Sequence, residues 1–406
     1  MTEKTAGALA GVRVIDLSSV IAAPQASQIL GDYGADVIKV ETPFGDETRR
    51  LGPPFVRDAA PHFMSANRNK RTLALDLSKP DGREVLLRLL EGADILLENF
   101  KAGTMEKWGL GYEQTLKARF PRLIHASLTG FGQTGPYAHF PGYDAMGQSF
   151  SGIASFNGDP DGGPTRVCVP LSDMSACFYV TIGMLVALQA RERTGLGQAI
   201  DVGLVDSAMT LLLPYAPNWM YGGDDFRPKR RGSKNPVTAP HDIYPTADGH
   251  VFICVGNDTQ FAILCDGLGH PEIAADPRFA THLERLKHVD ALDALIKPIL
   301  ARTEAVKFSE RMLAAGVPVG AVLEVPEAFA HKQAVAREMT LERDWYKGIG
   351  FPAKLSATPA ALHRLPPAFG EHNDEILAEA GYEPDAIARL KADGIVAGEP
   401  RARRVE

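Results

Sequence analysis

Residues 163–207 read GPTRVCVPLSDMSACFYVTIGMLVALQARERTGLGQAIDVGLVDS. A single acidic residue, Asp173, heads a long apolar run from Met174 to Leu188, which ends at Arg191, Arg193 and a Thr194-Gly195 break. An alternating stretch, Gln198–Gly203, follows. The run predicts a buried helix over residues 173–191 and the stretch predicts a strand over 199–203, a unit of an α/β fold. The helix N-terminus favours negative charge, so a carboxylate there is held in place while still facing outward. That suits an aspartate nucleophile. It equally suits an N-cap, the commoner role of Ser172 or Asp173 in such a segment.

The same alternation extends upstream. Residues 12–17, 37–40, 72–77, 95–98 and 123–128 read as strands, and 25–33 and 81–91 as helices. The pattern predicts an α/β domain with a mainly parallel sheet. After Leu213 the texture changes. Residues 214–240 hold five prolines and the basic run Arg227–Arg231, and read as an extended linker. A second, smaller α/β unit follows, with a strand over 251–255 and helices over 260–268, 285–302 and 306–315. The chain then returns to a short helix over 374–381.

Composition narrows the function classes. A chain of 406 residues, 45% hydrophobic, has room for more than one sizeable core. A net charge of −7 argues against nonspecific nucleic-acid binding. No 18-residue uncharged apolar stretch appears, and Met174–Leu188 is short for a membrane span. The start, MTEKTAGALAG, lacks a signal-peptide core. Cys168, Cys177, Cys254 and Cys265 show no C-x-x-C spacing and read as free thiols in a reducing cytoplasm. The eleven histidines show no metal-ligand spacing, so no metal is expected.

Several blocks recur in a fixed order: Gly11–Ser18 (GVRVIDLS), Pro24, Leu30–Glu41 (LGDYGADVIKVE), Asn67–Arg71 (NRNKR), Ala93–Phe100 (ADILLENF), Leu123–Gly135 (LIHASLTGFGQTG), Tyr143-Asp144 and the Asp173 segment. In this order they resemble the class III CoA-transferases, the family of formyl-CoA transferase and carnitine CoA-transferase. The likeness runs from about Gly11 to Asp206, and more weakly to Gly370–Leu377. It implies a large Rossmann-like domain built from both chain ends (1–213 and 330–406), the 214–240 linker and a small inserted domain (241–329). It also implies a homodimer of interlocked rings. The implied activity moves CoA between an acyl-CoA and a free carboxylic acid, with Asp173 as nucleophile. CoA thioesters would be substrates, with no tightly bound cofactor. Backbone N–H groups after Asp173 are the expected oxyanion donors.

The resemblance implies CoA contacts at Ile21, Ala22, Thr42, Leu75, Asp76, Leu77, Ser78, Asn99, Phe100, Lys101, Lys107 and Tyr143. Local basicity adds Arg68 and Arg71 as a phosphate clamp, the alternative being a solvated turn. Formyl-CoA transferase carries arginines where this chain has Thr42 and Lys107, and a glutamine where it has Ile21. Its tetraglycine loop has only Gly222-Gly223 as a near counterpart. Residues 51–56, 67–71, 245–249 and 256–265 look more like succinyl-CoA:glutarate CoA-transferase than like the oxalate-specific enzymes, which points to small dicarboxylates and to succinyl-CoA as donor.

Other readings remain open. The α-methylacyl-CoA racemases share the fold and place a His-Asp pair where this chain has Tyr143-Asp144. Tyrosine, with a pKa of about 10, is a poor base at neutral pH. A noncatalytic CoA-binding protein is the alternative outside enzymes. Gly130–Gly135 (GFGQTG) matches a dinucleotide fingerprint, but Pro136 and Tyr137 follow where a helix should open.

Overall fold

The computed structural model describes residues 7–402. Six strands, β1 (Arg13–Asp16), β2 (Asp36–Glu41), β3 (Lys70–Ala74), β4 (Ile95–Glu98), β5 (Ile124–Thr129) and β6 (Ala199–Gly203), form one sheet in the order β3-β2-β1-β4-β5-β6. Every pairing is parallel. This is the doubly wound order, whose ligands bind outside the carboxyl ends of the strands. Successive side chains point to opposite faces, and both faces are covered. Ile15, Ile38, Leu73 and Leu96 face one layer, which includes the helices Pro80–Leu90 and Asn373–Glu379. Val14, Val37, Ile95 and Ala126 face the other, against the helices Ala22–Asp32 and Leu171–Thr194.

The Leu171–Thr194 helix is longer than its apolar run suggested. It has 24 residues and an 18-residue window of mean hydropathy 1.6, long and apolar enough to cross a membrane. Here it packs on β5, β6 and the Ala22–Asp32 helix, and Gly195, at φ 73°, terminates it.

The chain divides into two units. The first holds residues up to Ile153, Val167–Pro217 and from Ala336 onward. The second holds Ala154–Arg166 and Asn218–Val335. In the second, the antiparallel strands β7 (His241–Pro245), β8 (His250–Cys254) and β9 (Val319–Ala321) pack on helices Asp258–Gly267, Val289–Leu300 and Ala305–Ala314. The division differs from the expected one, since residues 218–240 and 330–335 also belong to the small unit. Residues 154–166 join the small unit because Gly232 donates to Gly158 O and Arg230 to Ser155 O. The segment read as an extended linker carries a helix, Tyr215–Gly222. The expected helix over 285–302 is also two, His282–Lys287 and Val289–Leu300, meeting at His288.

Candidate active site

Asp173 lies in the first turn of the Leu171–Thr194 helix and caps nothing. Pro170, at the N-cap, offers no side-chain hydrogen bond. The cap comes from a different element, the helix Asp144–Phe150. Asp144 Oδ1 accepts the Ser172 N–H at 2.9 Å and the Ser172 hydroxyl at 2.8 Å. Its other oxygen accepts from Gln148 Nε2 at 2.8 Å. Asp173 is thus released from the bland role that its position suggested. Burial pushes its pKa from 3.8 up to about 7, and the charge of Asp144 adds to the shift.

Asp173 lines a cleft of about 170 Å³ at the carboxyl ends of the strands. Ile21, Ala22, Asn99, Phe100, Lys101 and Tyr143 line the same cleft, so seven of the expected site residues meet here. Opposite Asp173 stands the turn from β1 into the Ala22–Asp32 helix. Asn99 fixes that turn: its Oδ1 accepts the Ser19 N–H at 2.9 Å, and its Nδ2 donates to Ser19 O at 2.8 Å. Val20 is held at φ 72°, a left-handed conformation that a β-branched residue adopts only under constraint.

Beneath the turn lies a buried ionic network. Lys70 Nζ reaches Asp16 at 3.0 Å and Pro24 O at 2.8 Å. Lys39 Nζ donates to Ser18 O at 2.8 Å and pairs with Asp46 at 3.0 Å. Burial works against the Asp16 charge, but Lys70, Lys39 and the hydroxyls of Ser18 and Ser27 hold its pKa below the usual range. None of these roles was legible in the sequence.

The oxyanion donors need correction. The Met174 N–H, directly after Asp173, is already bonded to Pro170 O at 2.9 Å. The Ala22–Asp32 helix offers a replacement, since its N-terminus reaches the cleft through Ile21 and Ala22 and no side chain caps it.

A second cleft, of about 340 Å³, gathers Thr42, Leu75, Asp76, Leu77, Ser78 and Phe100, with Trp108 and Arg401. Phe100 belongs to both clefts. Lys107 is exposed beside Trp108 and lines neither.

Arg68 and Arg71 are not a phosphate clamp. Arg71 lies in β3, inside the sheet, whereas the sequence suggested a strand starting later. Both are buried, and their donors are spent on carboxylates and, for Arg68 Nη1, on the Ile349 carbonyl. Arg68 grips Asp32 through two bonds, at 2.9 and 2.7 Å. Arg71 pairs with Asp36, Glu375 and Glu379. A charge run in sequence does not distinguish solvated cations from cations committed to distant acids.

The Gly130–Gly135 motif opens no helix, since the next one begins at Asp144. Its first glycine instead allows close approach: a Cβ on Gly130 would lie 2.7 Å from the Gly142 Cα. Gly130 and Gly142 both line the Asp173 cleft. Adjoining it, a cavity of about 540 Å³ is lined by Lys101, Glu98 and His125, among others. Burial pushes Glu98 up to about 7 and His125 down to about 4. Both lie in blocks that the sequence reading quoted, Ala93–Phe100 and Leu123–Gly135, but neither was singled out, because their burial is set by packing that a local window does not contain. Among the described residues no cluster suited to a metal ion occurs.

The sequence matches the family model of CoA-transferase family III over residues 9–373. It is 40% identical over 388 residues to a succinate–glutarate CoA-transferase of Agrobacterium fabrum, covering 91% of this chain and 95% of that protein. It is 41% identical over 362 residues to an acetyl-CoA:oxalate CoA-transferase of Acetobacter aceti, covering 88% and 92%. A crystal structure of a CaiB/BaiF family protein from Brucella suis superposes with a TM-score of 0.85 at 39% identity, covering 92% of this chain and all of that one. With a doubly wound sheet, a carboxylate at the cleft and matches along nearly its whole length, the chain belongs to CoA-transferase family III and is a class III CoA-transferase.

Proposed function

We propose that the protein transfers CoA from an acyl-CoA to a small dicarboxylic acid, with Asp173 as covalent carrier. The observation that carries this reading is the Asp173 carboxylate, free of capping duty and facing a cleft roofed by an uncapped helix end. The carboxylate attacks the thioester carbonyl, the C–S bond breaks, and a mixed anhydride forms with CoA thiolate as leaving group. The thiolate attacks the aspartyl carbon of the anhydride. The donor acid leaves and Asp173 carries CoA as a thioester. The acceptor carboxylate then attacks that thioester, releasing the thiolate and forming a second anhydride. Thiolate attack on the acceptor's acyl carbon restores the Asp173 carboxylate. Each exchange trades bonds of similar energy, so the cycle closes without ATP. The anhydrides must be kept from water, and the N–H groups near Ile21 and Ala22 face the developing oxyanions.

A glutarate enzyme and an oxalate enzyme match this chain almost equally, at 40% and 41% identity. Ile21 in the cleft wall favours acids whose reacting end needs no polar contact there. Competing glutarate, itaconate, mesaconate, oxalate and butyrate for succinyl-CoA, with products read by mass spectrometry, tests it. A preference for butyrate would defeat the dicarboxylate assignment, a preference for oxalate would defeat the glutarate-like choice among dicarboxylates, and either would leave the transfer chemistry standing. Incubation with acyl-CoA and hydroxylamine should label the Asp173 peptide alone.

The working form in this reading is a homodimer of interlocked rings. Phe178, Ile182, Leu185 and Val186, at helical spacing, leave an exposed apolar stripe on the Leu171–Thr194 helix, which a second copy would cover. Sedimentation should give a dimer, and Ile182→Glu should weaken it. A reducing cytoplasm fits the four free cysteines.

A further inference from the structure

The chain's later residues return to the carboxyl edge of the sheet. Val396 bridges Leu75, the Asp76 N–H donates to Ile395 O at 2.9 Å, and the Ala397 N–H donates to Ala74 O at 3.0 Å. Asn373 clamps the same join, accepting from the Ala74 N–H and donating to Ala397 O, each at 2.9 Å. Residues 395–397 are buried, and residues 398–402 are exposed. It then crosses to the loop after β2, where the Arg401 N–H donates to Pro43 O at 2.8 Å. Residues 397–401 therefore form a strap across the ends of β3 and β2, over the cleft that Thr42, Leu77 and Ser78 line.

Among the described residues, Arg401 is the one cationic side chain lining that cleft. Its guanidinium is held loosely: one nitrogen donates to Gly394 O at 2.6 Å, another stands 3.7 Å from Asp76, and the side chain is 40% exposed. The cations that the sequence offered for phosphate are absent from this cleft, since Arg68 and Arg71 are spent inside the fold and Lys107 is not among its lining residues. A doubly wound sheet receives its nucleotide outside these strand ends, and a guanidinium with donors to spare suits phosphate oxygens.

We propose that the 397–401 strap closes the nucleotide half of the substrate cleft and that Arg401 binds phosphate oxygens of the ADP moiety of the CoA thioester. The inference rests on the CoA-transfer reading and deepens it by naming the residue that supplies the phosphate charge. Arg401 touches substrate far from the reacting carbonyl, so its loss weakens binding and spares chemistry.

The test measures binding of CoA and of 3′-dephospho-CoA by calorimetry, with KM and kcat for succinyl-CoA, in the wild type, Arg401→Gln and Arg401→Lys. Loss of one charge-assisted contact predicts a roughly ten- to hundredfold weaker Kd and higher KM in the Gln variant, kcat within about twofold, and partial recovery with Lys. A loss seen with CoA and absent with 3′-dephospho-CoA assigns the 3′-phosphate. An equal loss with both assigns the diphosphate. Unchanged Kd and KM, or a fall in kcat alone, overturns the proposal. Phenylglyoxal modification of wild-type protein gives a check that needs no variant: CoA should protect the Arg401 peptide, and equal modification with and without CoA overturns the proposal too. Failure of the wild type to bind CoA at all would overturn the functional reading beneath it instead.

Discussion

Asp144 caps the helix that carries Asp173: its Oδ1 sits 2.9 Å from the Ser172 nitrogen, one residue before the proposed nucleophile. One carboxylate thus fixes the helix end and, by its charge, helps keep the other protonated up to neutral pH. Asp144→Ala should cost about 1–2 kcal/mol, the usual worth of a cap, and should lower kcat by loosening the first turn. Thermal denaturation alongside steady-state kinetics checks both; an unchanged melting temperature would contradict the capping role.

The pH profile follows from the same pair. Attack needs the ionised carboxylate, so kcat/KM for the acyl-CoA should rise with pH and level off above about 7, the value to which burial raises Asp173. In Asp144→Asn the limb should move part of the way towards 3.8, since burial, the larger cause, remains. A limb unmoved by that substitution would exclude Asp144 as a charge neighbour.

Asp173→Asn should abolish the covalent step and lower turnover by several orders of magnitude while CoA still binds. It should also stabilise the fold. A carboxyl whose pKa is raised in the folded state destabilises it progressively as pH climbs from the unfolded value through the folded one. The variant's gain, roughly 1–3 kcal/mol after solvent relaxation, should therefore be present at about pH 8 and absent at about pH 4. Near-normal turnover would rule Asp173 out as nucleophile.

Asn99→Ala removes both hydrogen bonds that fix Ser19, freeing the turn that faces Asp173. We expect kcat/KM to drop roughly ten- to a hundredfold, with the melting temperature little altered. Full activity would mean that the strained Val20 turn is held by the ionic network beneath it alone.

Arg68→Gln should leave the Asp32 carboxylate buried and unpaired, at a cost of about 3–5 kcal/mol, while the protein that remains folded binds CoA normally. Denaturant melts and CoA titration separate the two effects. A selective loss of CoA affinity would restore the phosphate role that the sequence suggested.

These cases mark how far the sequence could be read. Strand positions at β1, β2, β4 and β6 follow from apolar alternation, a local signal, and residues 173–191 fall inside the observed helix. The cleft residues Ile21, Asn99, Tyr143 and Asp173 were legible through ordered motifs that resemble a known family. What escaped depends on distant partners. Whether Arg71 is a solvated cation or a buried one is decided by Glu375 and Glu379, and whether Asp173 is a cap is decided by Asp144. No window around either residue contains that information. Arg401 escaped for the same reason, since its place at the cleft is set by the bridge between Leu75 and Val396.

Arg71 belongs to β3, yet two of its acidic partners lie 304 and 308 positions further along the chain. On the ribosome, this strand emerges long before two of the three carboxylates that pair with it. The unit spanning Asn218–Val335 has all its later chain available while the large unit still lacks everything from Ala336 onward. The large unit is therefore begun first and completed last, and until residues 373–379 arrive Arg71 on its third strand has Asp36 as its one acidic partner among the three it finally holds. Any stall or truncation before residues 373–379 are made falls on the unit that carries the substrate site, although none of the residues around Asp173 would be missing.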